Sequence, residues 1–180
     1  MKNIFVCLAI ALIQFSILAG PTKPFNMSIT PDAAIYGRTT TIEGFTLSIW
    51  GENPQTSFAL GIVNGFVGDS AGLGAALFIN YADYYKGVQW APVNYTKHDS
   101  LGWNNGFINY TDRLMTGLAT GMVNFSQRLK GVQFGLVNYV DTTDAGVQFG
   151  LINIIQSNRN WFSDLPNGLA PVMIFVNWGM

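Results

Sequence analysis

The sequence contains few charged residues. Only 11% of its 180 residues are Asp, Glu, Lys or Arg, although 49% are hydrophobic; about 25% charged residues are usual in a soluble domain. Nine Lys and Arg against ten Asp and Glu give a net charge of -1, which argues against nucleic acid as a partner. Disorder is disfavoured, because it requires low hydrophobicity and high net charge. We therefore expect something other than water to cover part of the surface.

Cysteine and long apolar runs are scarce as well. The one cysteine, Cys7, lies within residues 1–20, where Lys2 precedes an apolar run from Ile4 to Leu18 and then small residues. This order is typical of a secretory signal peptide and predicts an exported protein. After residue 20 there is no cysteine for a disulfide bond and no apolar run of about 20 residues for a membrane-spanning helix. A hydrophobic core, repetition or a membrane must then supply stability.

Repetition is the strongest signal in the sequence. The segments GVQWAPVNY, GWNNGFINY, GLATGMVNF, GVQFGLVNY and GVQFGLINI resemble one another, and weaker copies precede them. Each copy contains one repeat-defining asparagine, and these are Asn64, Asn80, Asn94, Asn109, Asn124, Asn138 and Asn153. The last five are separated by 15, 15, 14 and 15 residues. Such spacing predicts one structural unit copied along a single domain, which we place at 42–180 after an N-terminal segment at 21–41.

The residues of each copy alternate with the period of a β-strand. In the fourth copy Val132, Phe134 and Leu136 fall on one face, whereas Gln133, Val137 and two glycines fall on the other. Charged residues occur only in the connectors between the five clear copies. Each copy therefore predicts a strand of about nine or ten residues followed by a charged turn of about five.

Strands of this length and pattern predict a membrane β-barrel. A strand of about nine or ten residues tilted by about 45° spans the apolar band of a bilayer. We expect an all-β, antiparallel up-and-down meander of about ten strands, with apolar side chains towards outer-membrane lipid and Gly, Gln and Asn in a crowded interior without a wide pore. Candidates for the membrane–water interface are the aromatic residues Tyr95, Tyr110, Phe125, Tyr139, Trp161, Phe162 and Trp178.

The alternative is a parallel β-solenoid with coils of about fifteen residues, in which the repeated asparagines stack into a ladder. Identical copies arise naturally in a solenoid, whereas an antiparallel meander places the asparagines of neighbouring copies at opposite ends. The solenoid leaves little room for corners after a nine-residue strand and exposes an apolar face. Whether neighbouring copies pair in parallel or antiparallel decides between the two folds.

Two resemblances extend this interpretation. The last ten residues, PVMIFVNWGM, carry apolar side chains at alternate positions and end in Met180. They resemble the closing strand of bacterial outer-membrane barrels, which ends in an aromatic residue, and this implies the barrel-assembly machinery as a partner. The repeat GVQFGLVN resembles the secreted surface-repeat proteins of bacteria over about residues 44–180. That resemblance implies a location at the outer membrane or cell surface and carries no activity.

Few residues are suited to catalysis. His98 is the only histidine, and sequence neighbours in an extended turn point apart, so His98, Asp99 and Ser100 do not by themselves form a catalytic triad. Without a second histidine or a phosphate-binding glycine loop, we expect no enzyme, no cofactor and no metal site. The predicted function is a structural or interaction role at the surface, with an unidentified surface ligand. The alternatives are a secreted solenoid that binds a surface or a carbohydrate polymer, and an outer-membrane hydrolase that uses His98.

Overall fold

A computed structural model describes residues 21–180, so the predicted signal peptide and Cys7 lie outside the described residues. The described chain is 77% strand and contains no helix. Its nine strands are β1 (Thr22–Thr30), β2 (Ala33–Ala34), β3 (Thr41–Asn53), β4 (Phe58–Trp90), β5 (Val93–Thr96), β6 (Ser100–Asn105), β7 (Ile108–Thr120), β8 (Val123–Ile155) and β9 (Val172–Gly179). Within residues 21–180, no helix has the length and apolar character needed to cross a membrane.

Neighbouring repeats pair in parallel. Strand β3 pairs with β1 and β4, β5 and β6 pair with β4 and β7, and β7 pairs with β8, all in parallel. The chain winds into a β-solenoid of about eight turns. The predicted antiparallel barrel is therefore wrong, and the alternative, a solenoid with coils of about fifteen residues, is confirmed. Parallel stacking places each side chain on its equivalent one coil away, as with Asn94 on Asn109 and Asn109 on Asn124.

A bend interrupts the predicted nine-residue strand between β4 and β5, between β6 and β7 and between β7 and β8, and the same bonding pattern recurs at Leu136 within the continuous strand β8. At the bend, two successive backbone amides share one carbonyl of the preceding coil: Met122 N and Val123 N both donate to Phe107 O at 2.9 Å. The bend resets the alternation, because Gln133 and Asn138 are both fully buried although five positions separate them. Val137 is therefore not on the face of Gln133, as the alternation predicted, but points outward with Tyr139.

The interior is built largely from amide and hydroxyl side chains. The fully buried polar residues include the repeated asparagines together with Gln89, Gln133 and Gln148. Apolar residues form two small clusters, of which the larger contains Met115, Ala119, Leu129, Val140 and Ile155. Most of the large apolar side chains instead point outward, as Phe134 and Leu136 do at 46% and 45% exposure. The predicted orientation of the two faces, amides inside and large apolar groups outside, is thus present in the solenoid.

The first glycine of four of the five clear copies is required by the backbone. Gly87, Gly102, Gly117 and Gly131 have φ angles of 135°, 129°, 114° and 145° and stack on one another in register. A Cβ atom at any of the last three would collide with the backbone oxygen of the glycine in the coil before it. The repeat therefore needs glycine both for the positive φ angle and for the close approach of the coils.

The two ends of the solenoid are covered by antiparallel strands. At the N-terminal end, β2 pairs with residues Ser28 and Thr30 of β1. At the C-terminal end, β9 pairs with β8 between Gly146↔Gly179 and Ile154↔Val172. The alternating C-terminal strand thus caps the last coil instead of closing a barrel.

Candidate functional site

The turns of the solenoid form two edges of different chemistry. The connectors between coils stack on each other, as the bonds from Lys97 N to Ala82 O and from Arg113 N to His98 O illustrate. They carry nearly all the charge of the regular coils, and we call this side the charged edge: Asp83, Lys97, Asp99, Asp112, Arg113, Arg128, Asp141 and Asp144. In the predicted barrel, charged turns would lie at both ends of the strands; in the solenoid the charged connectors form one edge, and the second edge is made of the uncharged bends.

The bends form a continuous apolar edge, which we define as Leu77, Pro92, Phe107, Met122, Leu136 and Leu151. The backbone amides of Phe107, Met122 and Leu136 each donate to the preceding member of this series at 2.8–2.9 Å. Phe107, Met122, Leu136 and Leu151 are 63%, 50%, 45% and 56% exposed. Each bend is uncharged, so apolar side chains line this edge from coil to coil. Contiguous apolar surfaces of this kind are typical of sites that contact a membrane or another molecule.

The repeat-defining asparagines form a ladder through the interior behind the apolar edge. Each Nδ2 atom from Asn64 to Asn138 donates to the Oδ1 atom of the next asparagine at 2.8–3.1 Å. The same Nδ2 atoms also donate to backbone carbonyls, as Asn109 does to Thr120 O at 2.9 Å. The asparagine ladder therefore ties each bend to its neighbour. Because Asn94, Asn109 and Asn124 are at most 2% exposed, their N-x-S/T triplets offer no accessible glycosylation site in the folded chain.

Four of the seven predicted interfacial aromatic residues lie together in an aromatic row. The ring centroids of Tyr95, Tyr110, Phe125 and Tyr139 are 5.5, 4.6 and 4.9 Å apart, with interplanar angles of 17°, 5° and 4°. The row lies on the outer face beside the charged edge, because the Tyr139 hydroxyl donates to Asp141 at 2.7 Å. That hydrogen bond, with partial desolvation, raises the pKa of Tyr139. Desolvation and the neighbouring Asp112 carboxylate raise the pKa of Tyr110.

The other three aromatic candidates lie near the C-terminal cap, away from the row. Trp161 and Phe162 are 58% and 52% exposed in the connector between β8 and β9. Trp178 belongs to β9, and its Nε1 atom donates to Pro166 O of that connector at 2.9 Å. Their predicted role at a membrane interface stays a prediction.

Neither the glutamine amides nor the rings of the aromatic row present the surface that a sugar ring binds. Gln89, Gln133 and Gln148 are fully buried, so they form no exposed amide row. The rings of the aromatic row cover one another's faces, and mainly their edges remain for a ligand. The expected amide row flanked by exposed aromatic faces is therefore not formed by these residues, and the carbohydrate-polymer alternative stays a prediction without support from them.

The residues around His98 are engaged in separate contacts. The His98 ring packs on Tyr84 with centroids 4.6 Å apart. Asp99 Oδ1 accepts a hydrogen bond from Leu114 N at 3.2 Å and forms an ion pair with the Arg113 guanidinium at 3.5 Å. The buried Ser100 hydroxyl donates to Asn104 Oδ1 at 3.0 Å. These contacts give the hydrolase alternative no support. Among residues 21–180, no group of three or more His, Cys, Asp or Glu side chains is placed to hold a metal ion.

The sequence reasoning missed one feature of the apolar edge. A groove of about 520 Å³ lies at Ala75 and Ala76, whose small side chains are located between the larger Leu60 and Trp90. The signal was the spacing of 16 residues between Asn64 and Asn80, where later copies have 14 or 15. One extra residue in a regular repeat marks a local change of structure at that coil.

No family model, no curated protein and no solved structure matches the chain. The resemblance of its repeat to bacterial surface-repeat proteins stays a prediction.

Proposed function

We propose that the protein is an exported, non-enzymatic β-solenoid that attaches to lipid at the outer membrane or cell surface of a bacterium through its apolar edge. The observation that carries the proposal is the separation of the two edges. Nearly all the charge of the regular coils lies on one edge, and the opposite edge bears a series of exposed or half-exposed apolar side chains. The expected barrel-assembly machinery rested on a barrel and is not part of this proposal.

The apolar edge contains enough surface for binding to lipid. Full burial of a Leu, Phe or Met side chain stabilises by about 1.5–3 kcal/mol. Because Phe107, Met122, Leu136 and Leu151 are already about half buried, each has roughly half of that to gain, or about 1 kcal/mol. The contributions act together, since all four side chains are fixed on one rigid solenoid. Insertion to the depth of one side chain requires no unpaired backbone group in the lipid.

The remaining surface fits this orientation. The charged edge lies on the far side of each coil and stays in water. The aromatic row lies beside the charged edge, where two of its three tyrosines donate to carboxylates, Tyr110 to Asp112 at 3.3 Å and Tyr139 to Asp141 at 2.7 Å. In this orientation the row lies on the water side as well.

Flotation with neutral phosphatidylcholine vesicles tests the proposal, using the mature chain 21–180. We expect the protein to float with the vesicles at low and at high salt, because apolar contact is not screened by ions. Leu136→Ser should weaken vesicle binding by about fivefold, which corresponds to the loss of about 1 kcal/mol of apolar transfer. Leu101→Ser is the matched control: Leu101 is 43% exposed against 45% for Leu136, but it stacks between Lys86 and Thr116 at the other side of the coil.

The two serine variants decide the question together. Equal binding by Leu136→Ser and Leu101→Ser would mean that the apolar edge is not the lipid-binding surface. Wild-type protein that stays with the soluble fraction at every lipid concentration would refute the function itself. Binding that disappears at high salt would point to charged headgroups and to the charged edge instead.

A further inference from the structure

The groove at Ala75 arises from an irregular coil. Gly87 stacks on Gly72, so the residues three positions later, Trp90 and Ala75, are neighbours in one outward-facing column. The other members next to Ala75 are large, because Leu60 is 43% exposed and Trp90 is 62% exposed. Asn80 follows Ala75 by five residues, whereas Asn94 follows the equivalent Trp90 by four, so this coil has one extra residue. The extra residue lengthens the bend, where Leu77 and Phe78 are 62% and 60% exposed, and the small Ala75 side chain leaves a gap in the column.

The walls of the groove are apolar and continuous with the apolar edge. Leu77 and Phe107, both members of that edge, are 62% and 63% exposed and line the groove beside Trp90. Its floor contains Ala76 and the buried Ala91. No charged side chain lines it. Neighbouring strands in a sheet are about 4.8 Å apart, so Leu60 and Trp90, which are two coils apart, are separated by about 10 Å. Because Ala75 between them is small, this space has room for one alkyl chain.

Asn105 supplies a hydrogen-bond donor at the rim. The Trp103 indole donates to Thr120 Oγ1 at 2.8 Å, and the Thr120 hydroxyl donates to Asn105 Oδ1 at 2.7 Å. This chain fixes the Asn105 carboxamide with its oxygen on Thr120. In the described part of the chain the Nδ2 atom has no acceptor, and Asn105 lines the groove. A ligand that fits must therefore be apolar, narrow and uncharged, with an oxygen that accepts a hydrogen bond.

We infer that the groove holds one acyl chain of a bilayer lipid, whose ester carbonyl oxygen accepts a hydrogen bond from Asn105 Nδ2. This inference rests on the proposed function and extends it, because the apolar edge provides general contact with lipid and the groove selects a single chain. An ester carbonyl lies at the start of each acyl chain, so a chain inserted between Leu60 and Trp90 brings its acceptor to the polar rim.

Vesicles of phosphatidylcholine with brominated acyl chains test the inference, because bromine quenches tryptophan fluorescence on contact and Trp90 forms a wall of the groove. The decisive variant is Ala75→Leu, which fills the groove. Leucine fits this column, since Leu47 and Leu60 already pair there in the two preceding coils. Ala75→Ser, which leaves the groove open, is the control. Trp90→Phe identifies the part of the quenching that comes from Trp90.

We expect Trp90 to be quenched in wild type and in Ala75→Ser, and to lose most of this quenching in Ala75→Leu while flotation is unchanged. Asn105→Ala should reduce the quenching without abolishing it. If the protein floats but Trp90 is quenched equally in wild type and Ala75→Leu, the inference is wrong and the proposed function stands. If wild type does not float, both are wrong. Equal far-ultraviolet circular dichroism of the variants confirms that each is folded.

Discussion

Replacing Asn109 with alanine removes one rung of the asparagine ladder. The Asn109 side chain makes three hydrogen bonds while only 2% exposed. Its Oδ1 atom accepts from Asn94 at 2.9 Å, and its Nδ2 atom donates to Asn124 Oδ1 at 2.8 Å and to Thr120 O at 2.9 Å. After the substitution, Asn94 retains the carbonyl of Asn105 as an acceptor at 2.8 Å, whereas Asn124 Oδ1 loses its donor.

These contacts set the expected magnitude. Three buried hydrogen bonds contribute about 1 kcal/mol each, and the orphaned Asn124 oxygen adds a desolvation cost of about 1–3 kcal/mol. We expect Asn109→Ala to lower the free energy of unfolding by about 4–6 kcal/mol. Urea unfolding followed by circular dichroism measures this, and a slope of about 2 kcal/mol per molar urea converts it into a midpoint shift of roughly 2 M or more.

The last rung of the ladder provides the comparison. Asn153 accepts from Asn138 at 2.8 Å, but its Nδ2 atom donates to the backbone carbonyls of Gly150 and Met173. Asn153→Ala therefore leaves no following asparagine oxygen without a donor, and we expect a loss of about 2–3 kcal/mol. Equal midpoints for the two variants, or a shift of less than about 1 kcal/mol for Asn109→Ala, would show that the ladder does not stabilise the fold as described.

Two further predictions concern the backbone and a half-buried phenol. Gly117→Ala should destabilise the folded protein by more than about 3 kcal/mol, because φ at Gly117 is 114° and the new Cβ atom would collide with Gly102 O. Gly37→Ala is the control and should be nearly neutral, because its new Cβ atom meets no atom within 4 Å. Thermal unfolding of both variants measures the difference. Burial raises the pKa of Tyr81 from 10.0 to about 12 in a site where its hydroxyl donates to Glu52 and accepts from Trp50. A raised pKa favours the protonated folded form, so this stabilisation is complete below pH 10 and is lost as the pH rises towards 12. Stability measured against pH should therefore fall less steeply in that range for Tyr81→Phe than for wild type, and identical slopes would contradict the assignment.

Much of the architecture follows from the repeat alone. The spacing of Asn94, Asn109 and Asn124 predicted one copied unit, and the alternation around Gln133 and Phe134 correctly placed the amide inside and the ring outside. The ladder was part of the solenoid alternative. The candidate site was predicted only in part. The residues of the aromatic row were identified because they follow the repeated asparagines. The groove at Ala75 was not predicted, because it depends on which side chains of neighbouring coils stack on each other, and the sequence pattern does not specify that stacking.

The sequence by itself determined an all-β repeat with amides on one face, large apolar groups on the other and charge in the connectors. The tertiary structure decided the direction of pairing, the bend within each copy and hence the location of the charge. The physical reason is that the period of two describes a strand relative to its own axis and is the same for parallel and antiparallel neighbours. Only the stacking of coils, with successive amides sharing one carbonyl at each bend, turns a nine-residue strand into two and creates one apolar edge opposite one charged edge.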